Sequence, residues 1–204
     1  MNTRLPRSFY TRPDVVLIAI ELLGKVLVTG TGGATTAGII TETEAYAGIT
    51  DRASHAHGGR RTVRNAPMYA LGGTIYVYLC YGIHHLFNVV TNARDVPEAV
   101  LIRGILPVEG MGLMEQRRGR RPLRTDGPGT LTQALGIDTS LTGSDLFGAL
   151  VRIEDRGIPV DPGSILVGPR IGIDYAGSDA LLPYRFRIAP SWRPQEEHFN
   201  KRNG

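Results

Sequence analysis

Glu42 and Glu44 stand two residues apart in Thr41-Glu42-Thr43-Glu44-Ala45-Tyr46. On a β-strand that spacing puts both carboxylates on one face, about 7 Å apart along the chain. Carboxylates that close discourage each other's ionisation, which suits general acid–base work or the activation of a water. The same pattern also describes a solvated strand face that carries Ile40 and Tyr46, and spacing does not choose between the two Glu. His55 and His57 in Ser54-His55-Ala56-His57-Gly58-Gly59, with His84 and His85 further on, raise the question of a metal. The chain has no His-Glu-x-x-His pattern and no supporting cysteines, so no metal is expected.

Basic and aromatic residues are the other candidates. Arg60, Arg61 and Arg64 cluster in the His-containing loop, and five Arg fall within residues 117–124. Such clusters attract phosphate, and the second reads equally well as a solvated basic loop. Arg103 interrupts the apolar run Val100-Leu101-Ile102, where an Arg needs a partner or an anion. Tyr76 and Tyr78 share a strand face, with Tyr76 suited to the core. Tyr81 begins the turn Tyr81-Gly82. An aromatic at a hairpin tip calls for a use, and such a side chain can wedge into a base stack. Asn88 sits among Leu86, Phe87, Val89 and Val90 and needs hydrogen-bond partners, either a base edge or the backbone.

These residues need a scaffold. A chain of 204 residues and 22.2 kDa with 42% apolar and 21% charged residues is that of one globular domain. The net charge of +4 permits a polyanionic partner. Basic residues are almost all Arg, with Lys25 and Lys201 the only lysines, a bias that fits a GC-rich genome or bidentate phosphate contacts. Cys80 alone excludes a disulfide framework and a multi-cysteine metal site. No apolar run approaches the roughly 20 residues of a membrane helix. The N-terminal segment reads as no secretory signal, and a cytoplasmic location is expected.

Asp14 can cap a helix through Val15–Leu23 that stops at Gly24. Strands are expected at Lys25–Thr29 and Ala37–Tyr46, joined as a hairpin by a turn over residues 30–33. Residues 47–73 form a long polar loop of a kind that is often functional. Further strands are expected at Ile75–Cys80, Leu86–Thr91, Ala99–Leu106, Val151–Glu154, Ile165–Ile173 and Arg185–Ala189. Helices are expected at Glu109–Arg118 and from Gly127-Pro128-Gly129 to Leu135, with Gly136 as the stop. The pattern is mixed α/β with mostly antiparallel pairing.

The segment 40–65, ITETEAYAGITDRASHAHGGRRTVRN, resembles the alkyladenine (3-methyladenine) DNA glycosylase family. So do residues 73–88, 99–110, 127–136 and 168–173, in the same order, and the likeness runs from about Leu5 to Trp192. The resemblance implies an α+β fold: a single mixed domain, residues 1–204, with a curved antiparallel sheet, flanking helices and a projecting β-hairpin. Residues 193–204 are expected to be a flexible tail. It implies Glu44 as the residue that activates the attacking water and Arg103 as support for the catalytic end and the nearby phosphate backbone. Tyr46, His55 and Tyr78 would enclose a base flipped out of the duplex. Asn88 would lie against its edge and disfavour guanine, and Tyr81 would fill the hole left behind. Arg60, Arg61 and Arg64 would meet the DNA backbone.

The implied partner is double-stranded DNA with a damaged purine, met by a monomer without cofactor, membrane or metal, in the cytoplasm on bacterial-type nucleoid DNA. Neither lysine falls within a matched motif, which leaves only the N-terminal amine for a Schiff base, and water is the expected nucleophile without strand cleavage. A module that senses damaged bases without excising them is the competing reading, and only the enzyme needs Glu44.

Overall fold

A computed structural model describes residues 3–30 and 33–194. Residues 31 and 32 of the expected turn, and 195–204 of the expected tail, lie outside the described residues. In chain order the elements are β1 (Thr3–Arg4), α1 (Arg7–Tyr10), α2 (Val15–Glu21), β2 (Val26–Thr29), β3 (Thr36–Tyr46), β4 (Ile75–Cys80), β5 (His84–Thr91), β6 (Glu98–Glu109), α3 (Met111–Arg118), α4 (Pro128–Leu135), β7 (Val151–Asp155), β8 (Ile165–Gly168) and β9 (Arg185–Ile188). The strands form one antiparallel sheet in the order β1-β7-β2-β3-β6-β5-β4. β3 is long enough to pair with β2 through residues 36–39 and with β9 through 42–44 along the same edge, and β8 adds to β9. The sheet therefore curls around β3, as an α+β domain with helices on one side.

Local chemistry explains most boundaries. Asp14 accepts from the Leu17 amide at 2.8 Å and starts α2. Gly24 adopts φ +80°, a left-handed conformation in which the chain turns into β2. Gly127-Pro128 opens α4, and Gly136 closes it at φ +68°. Three expectations change. The helix expected from Glu109 begins at Met111, because left-handed Gly110 separates it from β6. The strand expected over Ile165–Ile173 ends at Gly168, since Pro169 has no N–H for the ladder. The third concerns Ile40.

Ile40 does not share a face with the Glu pair. Ile40 pairs with Ile105, Glu42 with Gly104 and Thr43 with Ile102, so Thr41 is an extra residue on β3 and Arg103 an extra residue on β6. These two β-bulges reverse the inside–outside alternation on both strands. Ile40 and Ala45, with Ile102 and Ile105 across from them, pack in the main core beneath the sheet, together with α2 and α4. The Thr43 hydroxyl donates to the Ala19 carbonyl of α2 at 2.8 Å. Glu42, Glu44 and Tyr46 are thereby turned to the opposite face. On β4 and β5 plain alternation does the same: Ile75, Val77, Phe87 and Val89 face the core, while Tyr76, Tyr78, Leu86 and Asn88 line the other face. No helix among the described residues is long and apolar enough to cross a membrane.

Candidate active site

That second face carries a cleft of about 700 Å³. Its walls come from Tyr46, Tyr76, Tyr78, Asn88, Leu101 and Arg103 on the sheet, from His55 and Arg64 in the 47–73 loop, and from residues 171–173 and Tyr175 on the stretch after β8. The hairpin tip at Tyr81 and the start of α4 form parts of the rim.

Glu44 is fully buried directly behind this wall. One of its oxygens accepts from the Ile171 amide at 2.8 Å and the other from the Tyr46 hydroxyl at 2.9 Å. Arg103 approaches the two oxygens at 3.3 and 3.4 Å. All three partners line the cleft. Burial raises the Glu44 pKa above the ordinary carboxylate value, against the lowering effects of Arg103, the Ile171 amide and the Tyr46 hydroxyl. The nearby Glu42 charge is the smallest of these causes, so desolvation rather than carboxylate pairing perturbs the group.

Glu42 is held differently. Its Oε1 accepts from the Nε of Arg103 and of Arg185, each at 2.8 Å. A carboxylate gripped by two guanidinium groups is an anchor for Arg103, and the structure thus distinguishes two Glu residues that spacing left equivalent. Arg103 reaches both because it occupies the β6 bulge.

The aromatic wall is continuous. His55 Nδ1 and the Tyr76 hydroxyl are 2.8 Å apart, the His55 and Tyr78 rings meet edge to face at 4.6 Å, and Tyr76 lies 5.4 Å from Tyr78. Burial, then Arg64 and Arg60, lower the His55 pKa and favour the neutral imidazole. Burial pushes the Tyr76 phenol up to about 12 and also raises the Tyr78 and Tyr46 phenols well above the ordinary value, so all three stay protonated. Asn88 uses its amide nitrogen on the Tyr76 and Leu86 carbonyls at 3.1 and 3.3 Å, which fixes the side chain at the cleft wall.

Tyr81 is 89% exposed and has φ +50°, unusual for a bulky residue. Among the basic residues, Arg64 donates to the Leu79 carbonyl at 3.0 Å and stacks near Tyr78, while Arg61 pairs with Asp95 and lies over Tyr69. Arg60 is exposed nearby. The 117–124 run is largely engaged with its own protein: Arg117 with the Ala134 carbonyl, Arg118 with Gln133, Arg121 with Glu115 and Arg124 with Asp126. Among the described residues no three His, Cys, Asp or Glu side chains gather as a metal site.

Sequence reasoning assigned no role to Asp51, Arg170, Tyr175 or Arg185. Arg170 is buried and donates to both oxygens of Asp51 and to the Ala45 carbonyl. Its guanidinium lies 4.8 Å from the Tyr46 ring. The pair ties the stretch after β8 to the end of β3, and so presents the Ile171 amide to Glu44. A carboxylate three residues after Gly48 and an Arg next to Pro169 were visible signals; their pairing across 119 residues was not.

The site thus combines a curled antiparallel sheet, an aromatic cleft, a buried carboxylate and an exposed aromatic at a hairpin tip. The family model described as methylpurine-DNA glycosylase (MPG) matches residues 8–191. A protein of Chlamydia abortus is 49% identical over 188 residues, covering 90% of this chain and 97% of that protein. One from Bacillus licheniformis is 47% identical over 186 residues, covering 90% and 92%, and one from Desulfitobacterium hafniense is 43% identical over 198 residues, covering 92% and 96%. Each is named "Putative 3-methyladenine DNA glycosylase". The chain belongs to the methylpurine-DNA glycosylase family: it is a DNA N-glycosylase, a hydrolase of DNA repair, and DNA is its partner.

Proposed function

We propose that the whole chain acts as a single-domain, monomeric, monofunctional glycosylase in the cytoplasm, on nucleoid DNA. It turns an alkylated or deaminated purine (3-methyladenine, 7-methylguanine, hypoxanthine or ethenoadenine) out of duplex DNA and hydrolyses its N-glycosidic bond with a water activated by Glu44. The observation that carries this reading is the buried Glu44 with raised pKa, held by three residues of an aromatic cleft. Each of its oxygens has one short hydrogen bond, and the longer Arg103 contacts leave room for a water proton to be accepted.

The sugar C1′ is out of reach inside a duplex, so the nucleotide leaves the stack at a cost of a few kcal/mol. Tyr81 offsets part of that cost by filling the gap. Tyr46, His55 and Tyr78 then enclose the base. Aromatic walls favour a cationic N-alkylated base by about 0.5–2 kcal/mol, and a neutral His55 adds no like charge against it. The ionised Glu44 takes a proton from water on the side of the sugar away from the base, and its charge stabilises the oxocarbenium-like transition state. An alkylated base leaves with little acid help. Asn88, fixed by its backbone bonds, disfavours the exocyclic amine of guanine. Arg64 lines the cleft, and the exposed Arg60 and Arg61 of the same loop are offered for phosphate contacts. Lys25 is ion-paired to Asp155 at 2.6 Å, away from the cleft, which supports water rather than an amine as nucleophile.

The test is single-turnover excision from a duplex with one central ethenoadenine or hypoxanthine, in EDTA, with wild type beside Glu44→Gln. Removing a general base lowers such rates by about 10²–10⁴-fold, so the variant is expected to bind the lesion and leave it in place. Alkali-independent strand breaks by wild type would refute the monofunctional reading. Binding without excision by wild type across these lesions and methylated DNA would make the protein a damage-recognition module.

A further inference from the structure

The cleft has two rims. Leu79, Cys80, Tyr81 and Gly82 of the β4–β5 hairpin form one; Ile171, Gly172, Ile173 and Tyr175 form the other. Tyr175 lies in the 3-10 turn Asp174–Leu181. Its neighbours Ile173 and Ala176 are buried against Ala53, with Tyr46 and Ala180 packed on them. The ring itself is 71% exposed. Its hydroxyl donates only a long bond, 3.3 Å, to the Ala53 carbonyl. Tyr175 lines the same cleft as Cys80 and Tyr81 of the hairpin. An anchored backbone thus presents a bare aromatic ring to whatever enters.

The position selects the ligand. The base fits between Tyr46, His55 and Tyr78, deep in the cleft. The reacting sugar carbon must stand over Glu44, at the level of its partners Tyr46, Arg103 and Ile171. Tyr175 is four residues beyond Ile171 and lines the same side of the cleft. The group beside it is therefore the deoxyribose of the extruded nucleotide. A sugar offers an apolar C–H surface to the ring while the hydroxyl stays on Ala53.

We propose that the Tyr175 ring packs on the deoxyribose of the extruded nucleotide and holds it in the cleft from the side opposite Tyr81. This rests on the base-extrusion reading above. Ethenoadenine fluorescence rises when the base leaves the stack, so titration of an ethenoadenine duplex with wild type, Tyr175→Ala and Tyr175→Phe reads the extruded population directly. Tyr175→Ala is expected to lower the extrusion equilibrium about ten-fold, the size of one aromatic contact to a nucleotide, with an unchanged melting temperature because the ring is exposed. Tyr175→Phe is expected to stay within about two-fold of wild type. An Ala variant that matches wild type, or a Phe variant as impaired as Ala, would overturn the ring contact while leaving base extrusion intact. A wild type that neither unstacks nor excises the base would overturn extrusion itself, and this inference with it.

Discussion

Asp51→Asn tests whether the buried Asp51–Arg170 pair positions the site. Each Asp51 oxygen accepts two donors. Oδ1 takes the Ala53 amide at 3.0 Å and Arg170 Nη2 at 2.8 Å; Oδ2 takes the Ala47 amide at 3.0 Å and Arg170 Nη1. The symmetry removes any escape by flipping the amide. Either way the Asn NH2 points at one backbone N–H and one guanidinium N–H, and two hydrogen bonds vanish. The lost charged bond contributes about 1.5–3 kcal/mol and the neutral one about 1 kcal/mol. The Arg170 charge also stays buried without its counter-ion, at side-chain exposures of 0% for Arg170 and 1% for Asp51. Breaking such a pair costs about 3–5 kcal/mol. For a chain of this length that is a fall of about 6–20 °C in melting temperature. Excision below the melting range should also slow, because Arg170 carries the chain that presents the Ile171 amide to Glu44. Thermal unfolding and single-turnover rates on the same preparation check both. A loss under about 1 kcal/mol, or full activity in a variant destabilised as expected, would refute the positioning argument.

Three further expectations concern charge. On the proposed mechanism excision requires ionised Glu44, whose pKa burial holds above the ordinary 4.5, so activity is expected to fall as pH drops through that raised value, with the acid limb of the rate profile above pH 4.5. A raised folded-state pKa also means that ionised Glu44 weakens the fold as pH rises through it. Glu44→Gln should therefore melt higher than wild type at pH 8 and lose that advantage in acid; a variant less stable at pH 8 contradicts the burial argument. Arg121 is paired with Glu115 and Arg124 with Asp126, so Arg121→Ala with Arg124→Ala should leave the salt dependence of DNA binding nearly unchanged. A clearly flatter slope would reveal phosphate contacts there.

Patterns of local periodicity carried far in this chain. Alternation along Ile75–Cys80 and Leu86–Thr91 separates core residues from cleft residues, and Tyr76, Tyr78 and Asn88 fall on the cleft side. Asp14, Gly127-Pro128 and Gly136 mark helix ends through their own side-chain and backbone chemistry. The two-residue β1 and the single turn α1 were missed because such short segments carry no period, and their order comes from pairing with β7 and from burial of Tyr10. The choice between Glu42 and Glu44 was illegible from spacing because it depends on Arg185 and Ile171, more than a hundred residues away. Arg103 was legible as an anomaly in an apolar run; its bulge was not, since a bulge belongs to the pairing of two strands.

The paired bulges at Thr41 and Arg103 make β3 two half-strands set out of phase. β2 pairs with the first half and β9 with the second, while β6 pairs along both. Substitution within residues 36–40 changes side chains and leaves that phase in place. Length is another matter. Thr41 has no partner on β6, so its loss would let Glu42 follow Ile40 directly, and plain alternation would keep Glu42, Glu44 and Tyr46 on the cleft face. A deletion at the bulge is therefore absorbed, whereas loss of Thr43 would put Glu42 and Glu44 on opposite faces, so drift in this strand is confined to changes that preserve the count over residues 42–46.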